Sequence, residues 1–347
     1  MPMNRGITEV VKDVKETSLK PIERQQPIDY NRVVSTGSTL LDLIVSGKRR
    51  HGGGIPMGIL VEISGPPGTG KTAILAEIAA CIQAKKGEVI FDDIEARLDK
   101  EYTRIYGLDI TTKGKYYRSM TVKEMWNRIW DWETEPGSMN LYAADGVASL
   151  SSDMELSEKG DKMGQRRAKE FHEGLRKTCK LISDNTKLVV LTNQTRESTD
   201  IYGHIKLETT GGLAIPFYAS LRLRVKNAKE IKKELALESG VKVIKTIGIE
   251  STIDVIKSQI DDPYRECPLS IIFGYGIDTI RDELQYYKDM MKLTQYLAVD
   301  KEFRSLDKAI EHIEENKLQE ALREQTIKLW EEIEAKFTSN RPSKIRG

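Results

Sequence analysis

Lys71 and Thr72 close an eight-residue run, Gly65-Pro66-Pro67-Gly68-Thr69-Gly70-Lys71-Thr72, that matches G-x-x-x-x-G-K-[ST]. Residues of these types at this spacing suit a polyphosphate. Glycines let backbone N–H groups wrap the anion, a helix starting at the lysine adds the positive end of its dipole, and the lysine supplies a point charge to β- and γ-phosphates. The threonine hydroxyl is a ligand for Mg²⁺. Magnesium on a nucleotide also calls for a second acid acting through water. Asp145, which ends the apolar stretch Leu141–Ala144, is placed to provide it, although a strand-end Asp also caps turns. Transfer of the phosphoryl group to water further requires a group that orients or deprotonates the nucleophile. Asp92, Asp93 and Glu95 all follow the strand after the run, and spacing alone does not choose among them.

Such a site needs a strand before it and a helix after it, and the surrounding pattern supplies both. Ile59–Ser64 reads as an apolar strand and Lys71–Lys85 as a helix, followed by a strand over Glu88–Asp92. Met125–Trp130 lies in a helical stretch, Asn140–Ala144 is a strand, Gln165–Ile182 a long polar helix and Lys187–Thr192 another strand. This alternation predicts an α/β fold with a mostly parallel central sheet covered by helices. Short strands at Leu221–Val225, Val241–Ile244, Thr252–Ile256 and Leu269–Phe273 predict an antiparallel extension. After Gly274-Tyr275-Gly276 the strand pattern stops, and the charged remainder, with no Gly or Pro in Leu306–Phe337, reads as helical. At the other end, Ile7–Leu19 is spaced as a short helix, and Pro21 and Pro27 make Lys20–Arg32 a linker. The organisation expected is therefore an N-terminal helix and linker over 1–32, a core over 33–273 and a C-terminal helical domain over 274–347.

Composition excludes several classes. The 347 residues carry 54 Lys and Arg against 53 Asp and Glu, a formal charge of +1, so no uniformly basic nucleic-acid coat is present, although a local basic groove is allowed. No apolar run is long enough to span a bilayer. Cys81, Cys179 and Cys267 are odd in number and far apart, which fits neither a disulfide framework nor a zinc site and suggests a cytoplasmic setting.

The phosphate run is one member of a longer ordered series. Ser35-Thr36-Gly37-Ser38, Gly54-Ile55-Pro56-Met57-Gly58, Glu95-Ala96-Arg97-Leu98-Asp99 and Asp161-Lys162-Met163-Gly164 stand in sequence with Thr192-Asn193-Gln194 and Glu208-Thr209-Thr210-Gly211-Gly212. Phe217-Tyr218-Ala219-Ser220-Leu221-Arg222 and Phe273-Gly274-Tyr275-Gly276-Ile277 complete it. Over about residues 33–280 this series resembles the bacterial RecA recombinases, as a divergent version compatible with a phage or mobile element.

The resemblance implies a RecA-like P-loop core and an ATP- and Mg²⁺-dependent, DNA-stimulated ATPase. It makes Glu95 the group that activates water, Asp99 and Tyr102 adenine contacts, and Gln194 a γ-phosphate sensor that relays nucleotide state to a DNA-binding loop. It also makes Lys257 a cation reaching a neighbouring subunit's phosphates. Two positions depart from the family pattern: Gln259 stands where a second interface lysine is usual, and Pro216 replaces a basic residue before the interface residue Phe217.

Two segments resemble the family's DNA loops. In the first, Met163 is the wedge between bases and Gly164, Arg166, Arg167 and Arg176 follow it, while Lys169 reads better as a solvated helix face and Met163 alone would suit a core. The second holds Arg196, Ile201, Tyr202, Lys206, Thr209, Thr210, Gly211 and Gly212, with Ile201 and Tyr202 competing for the wedge and His204 equally suited to a plain surface position. The N-terminal helix resembles the arm that docks on the next protomer, a heterologous contact that gives open filaments. The basic end, Arg341–Gly347, lacks the acidic tail usual in the family, and Trp330 with Ile327 and Ile333 reads as core. The implied function is a recombinase that polymerises on single-stranded DNA and exchanges strands with duplex. The alternatives are an accessory ATPase serving another recombinase and a ring-forming motor.

Overall fold

Val33–Val34 (β1) and Ile55–Pro56 (β2) pair antiparallel and bracket the buried helix Thr39–Ser46 (α1). Ser38 caps that helix by accepting from the Leu41 N–H. The carboxylate of Asp42 accepts from Ser35 Oγ at 2.5 Å, Thr36 N at 2.7 Å and Thr36 Oγ1 at 2.7 Å. The run Ser35–Ser38 is thus built around a helix start and a buried acid, and no atom of it lines the cleft described below. The computed structural model describes residues 29–111, 115–135, 137–152, 163–182, 186–199, 205–209 and 214–338. The expected N-terminal helix, Ile201, Tyr202, His204, Thr210–Gly212 and Arg341–Gly347 lie outside them.

The chain continues through Leu60–Gly65 (β3), Lys71–Ala84 (α2), Val89–Asp93 (β4), Lys100–Ile105 (α3), Tyr116–Tyr117 (β5), Val122–Asp131 (α4) and Asn140–Asp145 (β6). It then runs through Met163–Leu181 (α5), Lys187–Thr199 (β7), Ile205–Thr209 (β8), Ala214–Tyr218 (α6), Leu221–Ala236 (β9), Lys242–Ser258 (β10), Glu266–Ile272 (β11) and Gly276–Ile277 (β12). The sheet order is β12-β11-β10-β9-β3-β7-β6-β4-β5, with β8 paired to β7. From β9 to β5 all pairings are parallel, and β10 to β12 add the expected antiparallel extension.

Each face of the sheet carries its own apolar core. On one, α1 and α2 cover Val61, Ile63, Phe91 and Val190; α2 is apolar nearly all round because it is buried on most sides. On the other, α4 and α5 pack Trp126 edge-on to Phe171 at 6.2 Å between ring centroids, over Leu60, Tyr142 and Val189.

Four local expectations are corrected. The short strands at Leu221–Val225 and Val241–Ile244 are parts of one long hairpin, β9–β10, with Lys233 opposite Lys245 and Leu235 opposite Val243. Its outer half is rich in Lys and Glu, and its apolar residues, among them Leu235, Leu237, Val243 and Ile244, are exposed, so the backbone ladder continues without a buried face. Met163 and Gly164 belong to the first turn of α5 rather than to a loop before it.

The tail is not purely helical. After Thr279–Met290 (α7), Tyr296–Ala298 (β13) and Lys301–Phe303 (β14) form a small hairpin. The stretch read as one helix is two, Leu306–Glu315 (α8) and Gln319–Lys336 (α9), separated at Lys317, whose φ of 55° ends the first helix in the left-handed region. Ile280, Leu284, Ala298, Ala309, Ile313 and Leu322 form a third core of their own. Ile327 and Trp330 of α9 instead join the core beneath α1, so this last helix packs back on the central unit. Among the described residues no helix is long and apolar enough to cross a membrane.

Candidate functional site

The parallel strands place their carboxyl ends side by side: Gly65 of β3 is in register with Gln194 of β7, and Asp93 of β4 with Asp145 of β6. This is the edge where open α/β sheets bind ligands. A cleft of about 420 Å³ opens there, lined among others by Gly68, Lys71, Thr72, Glu95, Asp145 and Gln194.

The phosphate loop has the backbone that its glycines were expected to supply. Gly70, at φ 93°, precedes α2 with no side-chain cap, leaving the first N–H groups of the helix facing the cleft. A Cβ at Gly70 would also meet Ile271 Cδ1 at 2.2 Å, but that side-chain end can turn aside, so it is φ that favours glycine. Lys71 Nζ donates to the Gly65 carbonyl at 3.0 Å and the Pro66 carbonyl at 2.7 Å. Burial depresses its pKa, although the carboxylates of Asp145 and Glu95 oppose that shift. Thr72 Oγ1 donates to Asp145 Oδ2 at 2.8 Å, and Thr192 Oγ1 to Asp145 Oδ1 at 2.6 Å. Burial is the largest influence on Asp145 and raises its pKa. A half-buried cation and a buried carboxyl, each pushed toward neutrality, fit a site whose ligand brings both phosphate charge and a hard metal ion.

Geometry separates the three acids that spacing left equal. Asp92 is buried and accepts from Ser119 N, Ser119 Oγ and Tyr142 Oη, away from the cleft. Asp93 accepts from Arg97 N, Leu98 N and Tyr116 Oη, fixing the turn after β4. Glu95 alone of the three lines the cleft. One carboxylate oxygen accepts from Gln194 Nε2 at 2.7 Å, and the other pairs with Arg97 Nη1 at 2.8 Å. Gly146, at φ 90°, leaves the space that the Glu95 stem fills, since a Cβ there would sit 2.2 Å from Glu95 Cγ. Arg97, Gly146 and Thr192 are site residues to which sequence reasoning gave no role; Arg97 and Thr192 stood within motifs that were noted, but nothing in their spacing marked them. Tyr102 lines the cleft, and its hydroxyl accepts from Tyr106 Oη at 3.0 Å. Asp99 caps α3 through the Tyr102 N–H and is exposed, outside the residues that line the cleft.

The family model for the RecA N-terminal domain matches residues 2–278, most of the chain and all of the sheet just described. The chain belongs to the RecA family. It is 30% identical over 280 residues to Protein RecA of Syntrophus aciditrophicus, covering 80% of this chain and 77% of that one. Against Protein RecA of Streptomyces venezuelae the identity is 32% over 254 residues, or 73% of this chain and 62% of the relative.

In this RecA family chain the other expected site residues lie outside the cleft. Lys257, late in β10, donates from Nζ to the carbonyls of Pro216 at 2.9 Å and Phe217 at 2.7 Å, and burial lowers its pKa. Phe217 is 72% exposed. Gln259 is exposed and falls one residue past β10, its N–H donating to the Ser220 carbonyl at 2.8 Å. Beneath Lys257, Arg222 Nε donates to buried Glu62 Oε2 at 2.5 Å, and Asn193 Nδ2 to Glu62 Oε1 at 2.9 Å. Asn193 Oδ1 accepts from Gln194 N at 3.0 Å, so hydrogen bonds run unbroken from Arg222 to Glu95.

Of the residues expected to meet DNA, Arg166 and Arg176 are exposed on α5, whereas Arg167 is half-buried and donates to the Leu150 carbonyl at 3.4 Å. Arg196 and Lys206 stand on β7 and β8, which pair antiparallel from Thr195–Thr209 to Thr199–Ile205. Gln194 therefore sits at the cleft end of the strand that continues into this hairpin.

Proposed function

We propose that this chain is a DNA-stimulated ATPase that assembles as a filament on single-stranded DNA and pairs it with homologous duplex. The observation that carries this reading is the position of Gln194. It bonds the carboxylate of Glu95 in the cleft and lies on the strand that leads into the β7–β8 hairpin, so one element touches both ends of the coupling.

Lys71 and the N–H groups around Gly68–Thr72 hold the β- and γ-phosphates, while Tyr102 flanks the base and Asp99, at the cap of α3, is a further base contact. Thr72 would hold Mg²⁺ directly and Asp145 through water; when bound, the ion offsets charge on the phosphate oxygens. Glu95 takes a proton from the attacking water, with Gln194 fixing its orientation. Lys257, at a face carrying the exposed Phe217, is supplied to the cleft of the next protomer, where its charge stabilises the transferring phosphoryl group. Assembly thereby completes the site. Basic residues Arg166, Arg167, Arg176, Arg196 and Lys206 meet phosphates, with Met163 and either Ile201 or Tyr202 separating bases and Gly164 and Thr209–Gly212 supporting the loops.

In domain terms, 1–32 is the docking arm, 33–273 the ATPase core and 274–347 the C-terminal unit. The free thiols Cys81, Cys179 and Cys267 support a reducing, cytoplasmic setting. The test is ATP-dependent joining of a labelled single strand to a homologous duplex, read with electron microscopy of the same mixture. Joint molecules on filaments support the reading. Filaments or particles without joint molecules favour the accessory role, and closed rings favour a motor.

A further inference from the structure

Arg97 stands in the cleft on a turn that leaves it little choice of direction. The Asp93 carbonyl accepts from Ala96 N at 3.1 Å, and the Asp93 carboxylate from Arg97 N at 3.1 Å and Leu98 N at 3.0 Å. Ala96 adopts φ 55°, the left-handed region that disfavours any residue with a Cβ. A turn held this firmly in a disfavoured conformation presents both Glu95 and Arg97 to the same space, and both line it together with Lys71.

In that space Arg97 has one ionic partner among the described residues, Glu95 Oε2 at 2.8 Å, and its side chain is 69% exposed. A half-open ion pair of this kind is worth little by itself and exchanges easily for a stronger anion. Its charge already reaches the phosphate lysine: behind burial, the dominant influence, Arg97 adds to the lowering of the Lys71 pKa. Positive charge is thus concentrated where a terminal phosphate would lie, while Gln259, outside the cleft, brings none.

We propose that Arg97 is a second cation for the terminal phosphate, supplied by the chain's own cleft and parked on Glu95 until a nucleoside triphosphate draws it away. The triphosphate offers a dianionic group that a guanidinium binds bidentately, so Arg97 exchanges one carboxylate oxygen for phosphate oxygens. That exchange uncovers Glu95 Oε2 while Gln194 keeps Oε1, leaving one oxygen directed at water. A diphosphate has no terminal group at this position and leaves the pair closed. The inference rests on the nucleotide reading of the cleft and adds to it how the site tells triphosphate from diphosphate.

The test is calorimetric titration of the full chain, without DNA, with Mg²⁺ and either a non-hydrolysable ATP analogue or ADP. Arg97→Ala should weaken analogue binding by about tenfold and ADP binding by less than about twofold, and Arg97→Lys should recover part of the loss. Glu95→Ala, which releases the cation in advance, should tighten analogue binding, and this gain should vanish in the Glu95→Ala/Arg97→Ala double variant. Equal loss for both nucleotides in Arg97→Ala, or a Glu95→Ala gain that persists without Arg97, overturns the proposal. Lys71→Ala in parallel should weaken both ligands. If it weakens neither, the nucleotide reading itself fails, and that result is distinguishable from failure of Arg97 alone.

Discussion

Gln194 Nε2 and Glu95 Oε1 are 2.7 Å apart, a hydrogen bond that joins β7 to the turn after β4 across the mouth of the phosphate loop. An amide cannot titrate, so this bond fixes direction without competing for the proton that Glu95 would accept. Replacing Glu95 with Gln keeps the shape and removes the base. Phosphate release by Glu95→Gln should fall by about 100-fold or more with ATP binding retained, measured by steady-state release beside nucleotide titration. A near-normal rate would remove Glu95 from its role, and neither Asp92 nor Asp93 is turned to take its place.

Gly146→Ala tests the same carboxylate from its other side. A methyl group 2.2 Å from Glu95 Cγ must displace that side chain, and φ 90° is itself unfavourable for alanine. Phosphate release should drop by about tenfold or more, while the melting temperature should fall by only about a few degrees, the cost of φ 90° for alanine. Unchanged turnover would show that Glu95 need not occupy the observed position.

Much of this arrangement was readable before any coordinates. The phosphate loop, the parallel strands and Asp145 at a strand end follow from apolar runs and glycine spacing, because each depends on local pattern. Choosing Glu95 over Asp92 and Asp93 from the residues themselves was not possible: the choice depends on Ser119, Tyr142 and Tyr116, which are far along the chain and carry no motif. The outer β9–β10 hairpin was hidden for a different reason. Its strands are stabilised by a backbone ladder and by pairs such as Lys242–Glu234 rather than by burial, and the Lys- and Glu-rich stretch between the short apolar runs hid that they belong to one continuous hairpin.

Lys257→Ala should reduce DNA-stimulated phosphate release by about tenfold or more, as expected when a cation is removed from a developing charge. Gln259→Lys tests whether a second charge near this face matters. It should raise the rate and shorten filament lifetime if the exposed position reaches the neighbouring phosphates. Full stimulation in Lys257→Ala would contradict supply of the cation from a neighbour.

The pH dependence of stability follows from acids that the fold buries. Burial raises Asp282 to about 7 and Glu283 to about 7, and Asp42 to about 6 despite three hydrogen-bond donors. Folded pKa values above the unfolded ones mean that the native state holds these protons more tightly. Stability should therefore be greatest below about pH 4, where the unfolded carboxyls also hold their protons, and decline as pH rises from there through the folded values near 6 and 7. Chemical denaturation across this range measures the slope. Asp282→Asn, which preserves an acceptor for the Ser270 N–H, should flatten it. A slope of opposite sign would mean that these carboxyls are ionised in the native protein.

The most direct measurement is the ratio of phosphate release with saturating single-stranded DNA to release without it, in the wild type and in Gln194→Ala. Wild type should show a ratio of about ten or more if, as proposed, DNA on the β7–β8 hairpin acts on Glu95 through Gln194. In Gln194→Ala the ratio should collapse toward one while the variant still binds DNA by fluorescence anisotropy. A wild-type ratio in that variant, with DNA bound, would contradict the coupling of the DNA-facing hairpin to the cleft through this residue.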